Sequence, residues 1–266
     1  MARARGTILI LVFALSLSAS GWPAAGAARP APRSAPNSNN RTPKAAAPRE
    51  PDIRRVEVSE KVVALTLDDG PDPKYTPLVL ELARKHHLAL TFFVTGEHVR
   101  LHPELARRIV AEGHVIGNHT WSHKIMLGLS ESENVAEIEA CGAEIEKVCG
   151  RHTKLFRPPK GRVDDNVARA AAALGYQVVL WSVAVEHRDA TTPQAMAQRV
   201  IQRVQPGSIV LAHDYHPRQG GSGDRTVAAL SIVVEELQKQ GYRFVTVPQL
   251  LALAPERPLA SKDNRG

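Results

Sequence analysis

The stretch VVALTLDDGP, residues 62–71, decides the fold of this chain. Its first six residues form a short apolar run that is typical of a strand buried within a sheet, and the run stops at Asp68 and Asp69. Two adjacent carboxylates repel each other, which is tolerable where a cation or an arginine neutralises one of them. Because Asp-Gly-Pro is also common turn chemistry, the pair alone leaves a turn and a functional site as alternatives.

The same design of apolar run and polar ending recurs along the chain. Further strands are predicted at residues 88–94, 115–116, 177–181, 208–212 and 243–247. Helical periodicity predicts helices at residues 76–86, 103–112, 131–148, 164–174, 193–204 and 226–240. Strands that alternate with helices at this spacing favour a parallel sheet covered by helices, and six or more units favour a barrel over an open sheet. Polar residues at the strand ends are then expected to converge at one mouth of the barrel.

The sequence GNHTWSH, residues 117–123, is the second signal for a site. Histidines four residues apart share one face of a helix, so His119 and His123 are predicted to present two imidazoles to one metal ion. A carboxylate from elsewhere would complete a three-ligand site with an open position for water. A lone pair of histidines at this spacing often binds nothing, but the neighbouring aspartate pair strengthens the interpretation.

Two further clusters are weaker when taken singly. In FRPPKG, residues 156–161, two prolines fix the backbone between the guanidinium of Arg157 and a flexible glycine, and a structural loop is the plain alternative. In LAHD, residues 211–214, His213 stands at the end of an apolar strand, where an ordinary core or surface histidine is also common.

Together and in this order, the four clusters resemble the polysaccharide deacetylase family of metal-dependent carbohydrate esterases, whose shared module is the NodB homology domain. The resemblance covers residues 58–252. The matching stretches are residues 65–71, 91–96, 113–123, 156–161 and 207–214, together with Trp181. The fold that this resemblance implies is an α/β fold, a distorted (β/α) barrel of about seven units.

The resemblance also implies a role for each matching residue. It implies one divalent metal ion per chain at the barrel mouth, usually zinc. The metal ligands are then Asp69, His119 and His123, and the catalytic residues are Asp68 as general base, His213 as general acid, and Arg157, which holds Asp68 ionised. The implied substrate-binding residues are Pro159, Lys160, Gly161, Trp181 and Leu211, with the Lys160 N–H facing the oxyanion and Leu211 lining the acetyl pocket.

Two positions depart from the family pattern. After Trp181 the family commonly has an aspartate three residues on and then an Asp-Trp pair, but this chain has Ala184, His187 and Arg188 there. The residue that orients His213 is therefore open, and Glu186 and Asp189 are the two alternatives. Lys160 stands where an aromatic residue is frequent, so a more cationic wall of the sugar groove is expected.

The N-terminal region predicts export. Residues 1–27 read as a signal peptide, with Arg3 and Arg5 before the apolar residues 8–17 and the small residues 25–27 at a cleavage site, although an uncleaved anchor is an alternative. Residues 28–57 are rich in Pro, Ala and Arg and are predicted to be a disordered linker. The catalytic domain is predicted at residues 58–252 and a polar tail at residues 253–266. The expected location is periplasmic, cell-wall-associated or secreted.

Charge and cysteine content limit the partners. The 266 residues carry a net charge of +7, and residues 1–60 hold nine Lys or Arg against four Asp or Glu. This basic segment predicts either loose association with the cell wall or a membrane surface, or simple solvation. No aromatic platform for nucleic acid is evident, so no nucleic-acid partner is expected, and we expect a monomer. Cys141 and Cys149 lie about 12 Å apart along one predicted helix, too far for a disulfide unless that helix ends early, so both are expected to be buried and free.

The resemblance, together with the predicted export, implies a hydrolase that removes N-acetyl groups from an amino-sugar polymer such as peptidoglycan, a chitin-like polymer or an exopolysaccharide, and releases acetate. A second enzymatic reading is an esterase that removes O-acetyl groups from a polymer of the xylan type, because the same metal and acid–base pair can run that reaction. A reading of another class is a catalytically silent glycan-binding module, suggested by the changed residues after Trp181.

Overall fold

A computed structural model describes residues 52–215 and 222–255. The predicted signal peptide, residues 28–51 of the predicted linker and residues 256–266 of the predicted tail lie outside these ranges. Within them, no helix combines the length and the apolar character that crossing a bilayer requires.

The described chain forms one sheet in which every pair of neighbouring strands is parallel. The strand order is β5-β4-β3-β2-β1-β7-β6, with β8 paired to the start of β1. The strands are β1 (Val62–Asp68), β2 (Thr91–Val94), β3 (Val115–Asn118), β4 (Leu155–Phe156), β5 (Gln177–Val178), β6 (Val183–Ala184), β7 (Ile209–His213) and β8 (Arg243–Phe244). The sheet is curled into a half-barrel, which confirms the predicted distorted (β/α) barrel.

The helices cover this sheet and follow its strands. They are α1 (Tyr75–His86), α2 (Gly96–Leu101), α3 (Pro103–Ala111), α4 (Glu131–Cys149), α5 (Asp165–Ala173), α6 (Pro193–Arg203), α7 (Ser222–Lys239) and α8 (Val247–Ala252). The six predicted helices are confirmed, with their ends shifted by a few residues. Helices α2 and α8 were not predicted, because six residues are too few to show a helical period. Helix α8 also shortens the predicted last strand, since Thr246 caps its N-terminus.

Strand β1 is central, and all seven of its residues are buried. Its register with β7 sets Asp68 beside His213, and its register with β2 sets Asp68 beside Phe93. Because parallel strands end at the same edge of a sheet, the polar residues that follow β1, β3, β4 and β7 meet at one mouth. The sequence-based expectation of a converging site is therefore confirmed at the level of the fold.

The predicted boundary of the linker at residue 57 is wrong for the described residues. Ile53 pairs with Val179, and the Val56 N–H donates to the Gly207 carbonyl at 3.0 Å. Gly207 has φ of +78°, and a Cβ atom there would overlap the carbonyl oxygen of Val56. The segment therefore enters the fold by residue 53. Single bridges of this kind leave no periodic signal in a sequence, which is why the segment reads as linker.

Both cysteines lie on α4 and are free, as the helix length predicts. Cys141 is fully buried, and that burial raises the pKa of its thiol to about 12. Cys149 is only half-buried, so the expectation that both are buried holds for Cys141 alone. Neither thiol is therefore a structural crosslink in this fold.

Candidate active site

Asp68 and Arg157 form a buried ion pair at the end of β1. The Arg157 Nη1 donates to Asp68 Oδ1 at 2.6 Å, and the two side chains are 0 and 3% exposed. The guanidinium also donates to the Thr66 hydroxyl and to the carbonyls of Val179 and Leu180, at 2.8 to 3.0 Å. Burial lowers the pKa of Arg157, and the charge of Asp68 opposes that shift. Four hydrogen bonds thus hold a permanent positive charge against Asp68.

Asp69 is the point where three potential metal ligands meet. Its Oδ1 lies 3.2 Å from the Nε2 of His119 and 3.2 Å from the Nε2 of His123. This oxygen is buried and has no hydrogen-bond partner among the described residues. Burial alone would raise the pKa of Asp69, but the close approach and charge of His119, with the charges of His213 and His123, lower it well below its usual range. Asp69 is therefore a carboxylate with an unused oxygen.

The two histidines reach Asp69 from a loop, so the prediction that they share a helical face is wrong. Residues 119–123 follow β3 in an irregular turn in which Thr120 and His123 have φ of +70° and +55°. Asn118 Oδ1 accepts from the Thr120 N–H at 2.9 Å, and Thr120 Oγ1 accepts from the His123 N–H at 3.1 Å. These local bonds replace those of a helix and turn both rings toward one oxygen.

The orientation of His119 leaves its Nε2 available to a metal. Its Nδ1 lies 2.6 Å from the Arg157 carbonyl oxygen, so the Nδ1–H donates there and the Nε2 lone pair points to Asp69. Burial lowers the pKa of His123, against the opposing charge of Asp69, and so favours the neutral imidazole that binds metal. The ligand atoms of the three residues lie within 4.8 Å of one another.

This arrangement passes a simple test for a divalent cation. Two imidazole nitrogens and one carboxylate oxygen suit a divalent transition metal such as zinc. Within the described parts of the chain the buried oxygen of Asp69 has no hydrogen-bond partner, and a cation is the group that would satisfy it. Because Asp69 and His123 also line an open cleft, a position for water or substrate remains beside the ligands.

His213 is paired with Glu186, one of the two carboxylates that the sequence offered as its partner. The His213 Nδ1 lies 3.2 Å from Glu186 Oε2, whereas Asp189 lies beside His187 at 3.3 Å. The other Glu186 oxygen accepts from the Thr226 hydroxyl at 2.8 Å and from the His213 N–H at 3.2 Å. Burial alone would lower the pKa of His213, but the hydrogen bond and charge of Glu186 raise it to about 9. At neutral pH this imidazole is therefore protonated.

The residues expected to bind substrate are only partly at the surface of the cleft. Lys160 lines it, from a short turn at Pro159–Gly161 in which Lys160 has φ of +61°. A Cβ atom at Gly161 would overlap the ring of Trp181, so the glycine lets the tryptophan pack directly against the main chain. Leu211 is 4% exposed on β7 and does not line the cleft, and Pro159 is likewise buried. Substrate contact by these five residues remains a prediction.

The cleft has a volume of about 510 Å³ and a second wall that the sequence did not reveal. The Nδ1 of His98 lies 2.6 Å from the Asp69 carbonyl oxygen, and its ring meets that of Tyr215 edge-on at 4.2 Å between centroids. His98 was missed because α2 is short and the segment looked like a polar loop. Thr95, which caps α2 directly after β2, was the available signal for a helix at the mouth. The lining residues that were not predicted are Thr95, Glu97, His98, Ser122 and Tyr215.

Comparison with known proteins places this arrangement among carbohydrate-modifying enzymes. Residues 55–179 match the sequence model described as polysaccharide deacetylase. The chain is 42% identical over 195 residues to a peptidoglycan-N-acetylglucosamine deacetylase of Bacillus cereus, a match that covers 73% of this chain and 89% of that protein.

Solved structures of related proteins have the same fold. The crystal structure of a peptidoglycan N-acetylglucosamine deacetylase in complex with a benzamide compound superposes with a TM-score of 0.70 at 32% identity, covering 77% of this chain and 94% of that one. A CE4 family pseudoenzyme of Bacillus anthracis superposes with a TM-score of 0.69 at 29% identity, covering 76% of this chain and 69% of that one. The same architecture thus occurs with and without catalytic activity.

Proposed function

Because this chain belongs to the polysaccharide deacetylase family, we propose that it is a hydrolase that removes N-acetyl groups from an amino-sugar polymer and releases acetate. The observation that carries the proposal is the meeting, at one mouth of the half-barrel, of an Asp–Arg pair, an Asp-His-His ligand set and a His–Glu pair. These three units are what hydrolysis of an unactivated amide needs: a base, a cation site and an acid.

Asp69, His119 and His123 are proposed to hold one divalent cation, which we expect to be zinc. When bound, such a cation supplies a Lewis acid that polarises an amide carbonyl and makes water more acidic. The side chains of the proposed ligands are already oriented toward one point. The His119 ring is fixed by the Arg157 carbonyl, and the unused Asp69 oxygen faces both rings.

Asp68 is the proposed general base. It lies beside the ligand set, with its Oδ2 3.7 Å from the His119 Nε2, and its other oxygen is engaged by Arg157. A carboxylate positioned by a buried guanidinium can take the proton from an attacking water. Arg157 therefore acts on the base and needs no contact with substrate.

His213 is the proposed general acid. An amine is a poor leaving group, so the nitrogen of the sugar must receive a proton as the bond to the acetyl carbon breaks. Protonated His213 lines the cleft on the side opposite the β2 and β3 loops, and Glu186 keeps it charged and oriented. Glu186 would thus supply, from two residues further along the chain, the orienting carboxylate that the family pattern has at the position of Ala184.

The roles of the oxyanion and pocket residues, the substrate and the location of the protein are proposed from the family resemblance and the sequence. The Lys160 N–H is proposed to stabilise the oxyanion, and Pro159, Gly161, Trp181 and Leu211 to shape the sugar and acetyl pocket. Peptidoglycan, a chitin-like polymer or an exopolysaccharide is the proposed substrate. We propose an exported protein with a signal peptide at residues 1–27, a linker after it, and a catalytic domain that begins by residue 53.

The silent glycan-binding alternative is disfavoured by the completeness of the site. The Bacillus anthracis pseudoenzyme shows that this fold persists without activity. In the present chain, however, Asp68, Arg157, His213 and all three metal ligands are present and in contact with one another or with their orienting groups. No contact among the described residues distinguishes an O-acetyl ester from an N-acetyl amide. The esterase alternative is therefore tested by including acetylated xylan in the assay.

The deciding experiment is acetate release from N-acetylated chitin oligomers, from peptidoglycan and from acetylated xylan, with and without a chelator. We expect release from an amino-sugar polymer that falls at least about 100-fold after chelation and returns on adding zinc. His123→Ala should abolish release, and His152→Ala, at an exposed histidine far along the chain from the ligands, should not change it. Release from xylan alone would support the esterase, and bound zinc without release from any polymer would support the silent module.

Replacing the partner of the proposed acid should change the pH profile. Protonated His213 is the active form, so activity is lost as pH rises through its pKa, which Glu186 raises. In Glu186→Gln that carboxylate is absent, and we expect the alkaline limb of the kcat profile to move to lower pH by at least about one unit. Asp189→Asn removes the other carboxylate of the same loop and should leave the limb in place. An unmoved limb in Glu186→Gln would show that another group sets it.

A further inference from the structure

Asp69 is held in an unusual backbone conformation that its neighbours must stabilise. Its φ is +78°, a region that costs a residue with a side chain about 1 kcal/mol or more. Both polar groups of its main chain are tied to other elements. The Asp69 N–H donates to the Phe93 carbonyl of β2 at 3.2 Å, and the Asp69 carbonyl accepts from the His98 ring at 2.6 Å.

The start of α2 therefore clamps the turn that carries Asp69. One bond runs from the Thr95 N–H to the Gly70 carbonyl at 3.1 Å, and the other from His98 Nδ1 to the Asp69 carbonyl. The Thr95 hydroxyl accepts from the His98 N–H at 3.4 Å, which fixes the main chain from which the ring extends. Two successive carbonyls of the turn are thus bound by one short helix.

Tyr215 fixes the rotation of the His98 ring from the other side of the cleft. The two rings meet edge to face, at 64° between their planes. Tyr215 lies two residues after His213, on the segment that leaves β7. The contact therefore joins the turn with the metal-binding carboxylate to the segment with the proposed acid.

From these contacts we propose that His98 is a positioning residue: it fixes Asp69 through its main-chain carbonyl, and Tyr215 fixes His98. This inference rests on the proposed function for its consequence in catalysis, but the clamp itself is a property of the fold. An aliphatic side chain could fill the volume of the ring but could not donate to the carbonyl. Asparagine could, because its Nδ2 lies the same number of bonds from Cα as the Nδ1 of histidine.

The first test is zinc affinity of the purified metal-free protein, measured by titration calorimetry. We expect His98→Ala to weaken zinc binding about 10-fold or more, the size of effect known for residues that orient metal ligands, and His98→Asn to recover most of it. Tyr215→Leu should weaken binding by a smaller factor, and Tyr215→Phe, which keeps the ring contact, should not. His152→Ala is the matched control at an exposed histidine. Unchanged affinity in His98→Ala would overturn the proposal.

The second test needs no metal and separates this inference from the proposed function. Amide hydrogen exchange in metal-free protein should be faster at Asp69 and Thr95, whose N–H groups donate at this turn, in His98→Ala than in the parent, His98→Asn or His152→Ala. Equal exchange in all four proteins would show that His98 does not hold the turn, whatever the activity. A further outcome is that the parent protein neither binds zinc nor releases acetate while exchange is still faster in His98→Ala than in the parent. That result would contradict the proposed function and support the role of His98 in holding the turn.

Discussion

The variant Asp68→Asn should lose about 1,000-fold in kcat for acetate release, equivalent to about 4 kcal/mol of transition-state stabilisation. The amide is isosteric with the carboxylate and can still accept from Arg157, but it cannot take a proton from water. Zinc binding should fall far less than kcat, because Asp68 is not among the three residues that meet at Asp69 Oδ1. The measurement is steady-state acetate release together with zinc titration of the same preparation.

Two controls make the result interpretable. Asp165→Asn changes an exposed aspartate at the start of α5 and should leave kcat unchanged. Thermal unfolding must show that Asp68→Asn remains folded at the assay temperature, because a buried guanidinium without its carboxylate is costly. If folded Asp68→Asn with bound zinc kept more than about a tenth of the parent kcat, the general base would have to be another group.

The variant Arg157→Met should lower the free energy of unfolding by about 3 to 5 kcal/mol. Methionine fills much of the volume, but it leaves Asp68 as an unpaired buried carboxylate and removes the donors to Thr66, Val179 and Leu180. Urea unfolding at neutral pH, with chelator present in every sample, measures the difference without a contribution from metal binding. Arg169→Met breaks an exposed ion pair with Glu131 and should cost no more than about 0.5 kcal/mol.

A double variant provides an internal check. Arg157→Met leaves the Asp68 carboxylate buried without its cation, whereas Arg157→Met, Asp68→Asn has no carboxylate there and should recover part of the loss in the free energy of unfolding. An equal loss in both variants would show that Asp68 does not carry the unpaired charge.

The sequence predicted those parts of the fold that rest on hydrophobic pattern and on chain length. The strand at residues 62–68 was predictable because it is buried on both faces, and α4 because its 19 residues show several turns of helical period and a capping box at Ser130. The positions of the site residues at the strand ends followed from the parallel order. Their chemical roles came from the resemblance to a family and remain proposals.

The parts that sequence missed depend on contacts between distant segments. Residues 119–123 have the spacing of a helix face, but hydrogen bonds to side chains of Asn118 and Thr120 made the loop more favourable there. Glu186 and Asp189 were equal candidates in sequence, and only the register of β6 beside β7 sets Glu186 against His213. His98 likewise has no pattern of its own, because its partners are a carbonyl 29 residues away and a ring on another strand's loop.

The close approach of Val56 and Gly207 has a practical consequence for producing shortened forms of the protein. A cut after the predicted linker, at residue 57, would remove the bridge from Ile53 to Val179 and the bond from Val56 to Gly207, and would uncover the start of β7 and the end of β5. A recombinant fragment that starts at residue 52 or earlier keeps both contacts. The point at which the chain can be shortened is therefore set by a glycine some 150 residues downstream, and not by the composition of the segment being removed.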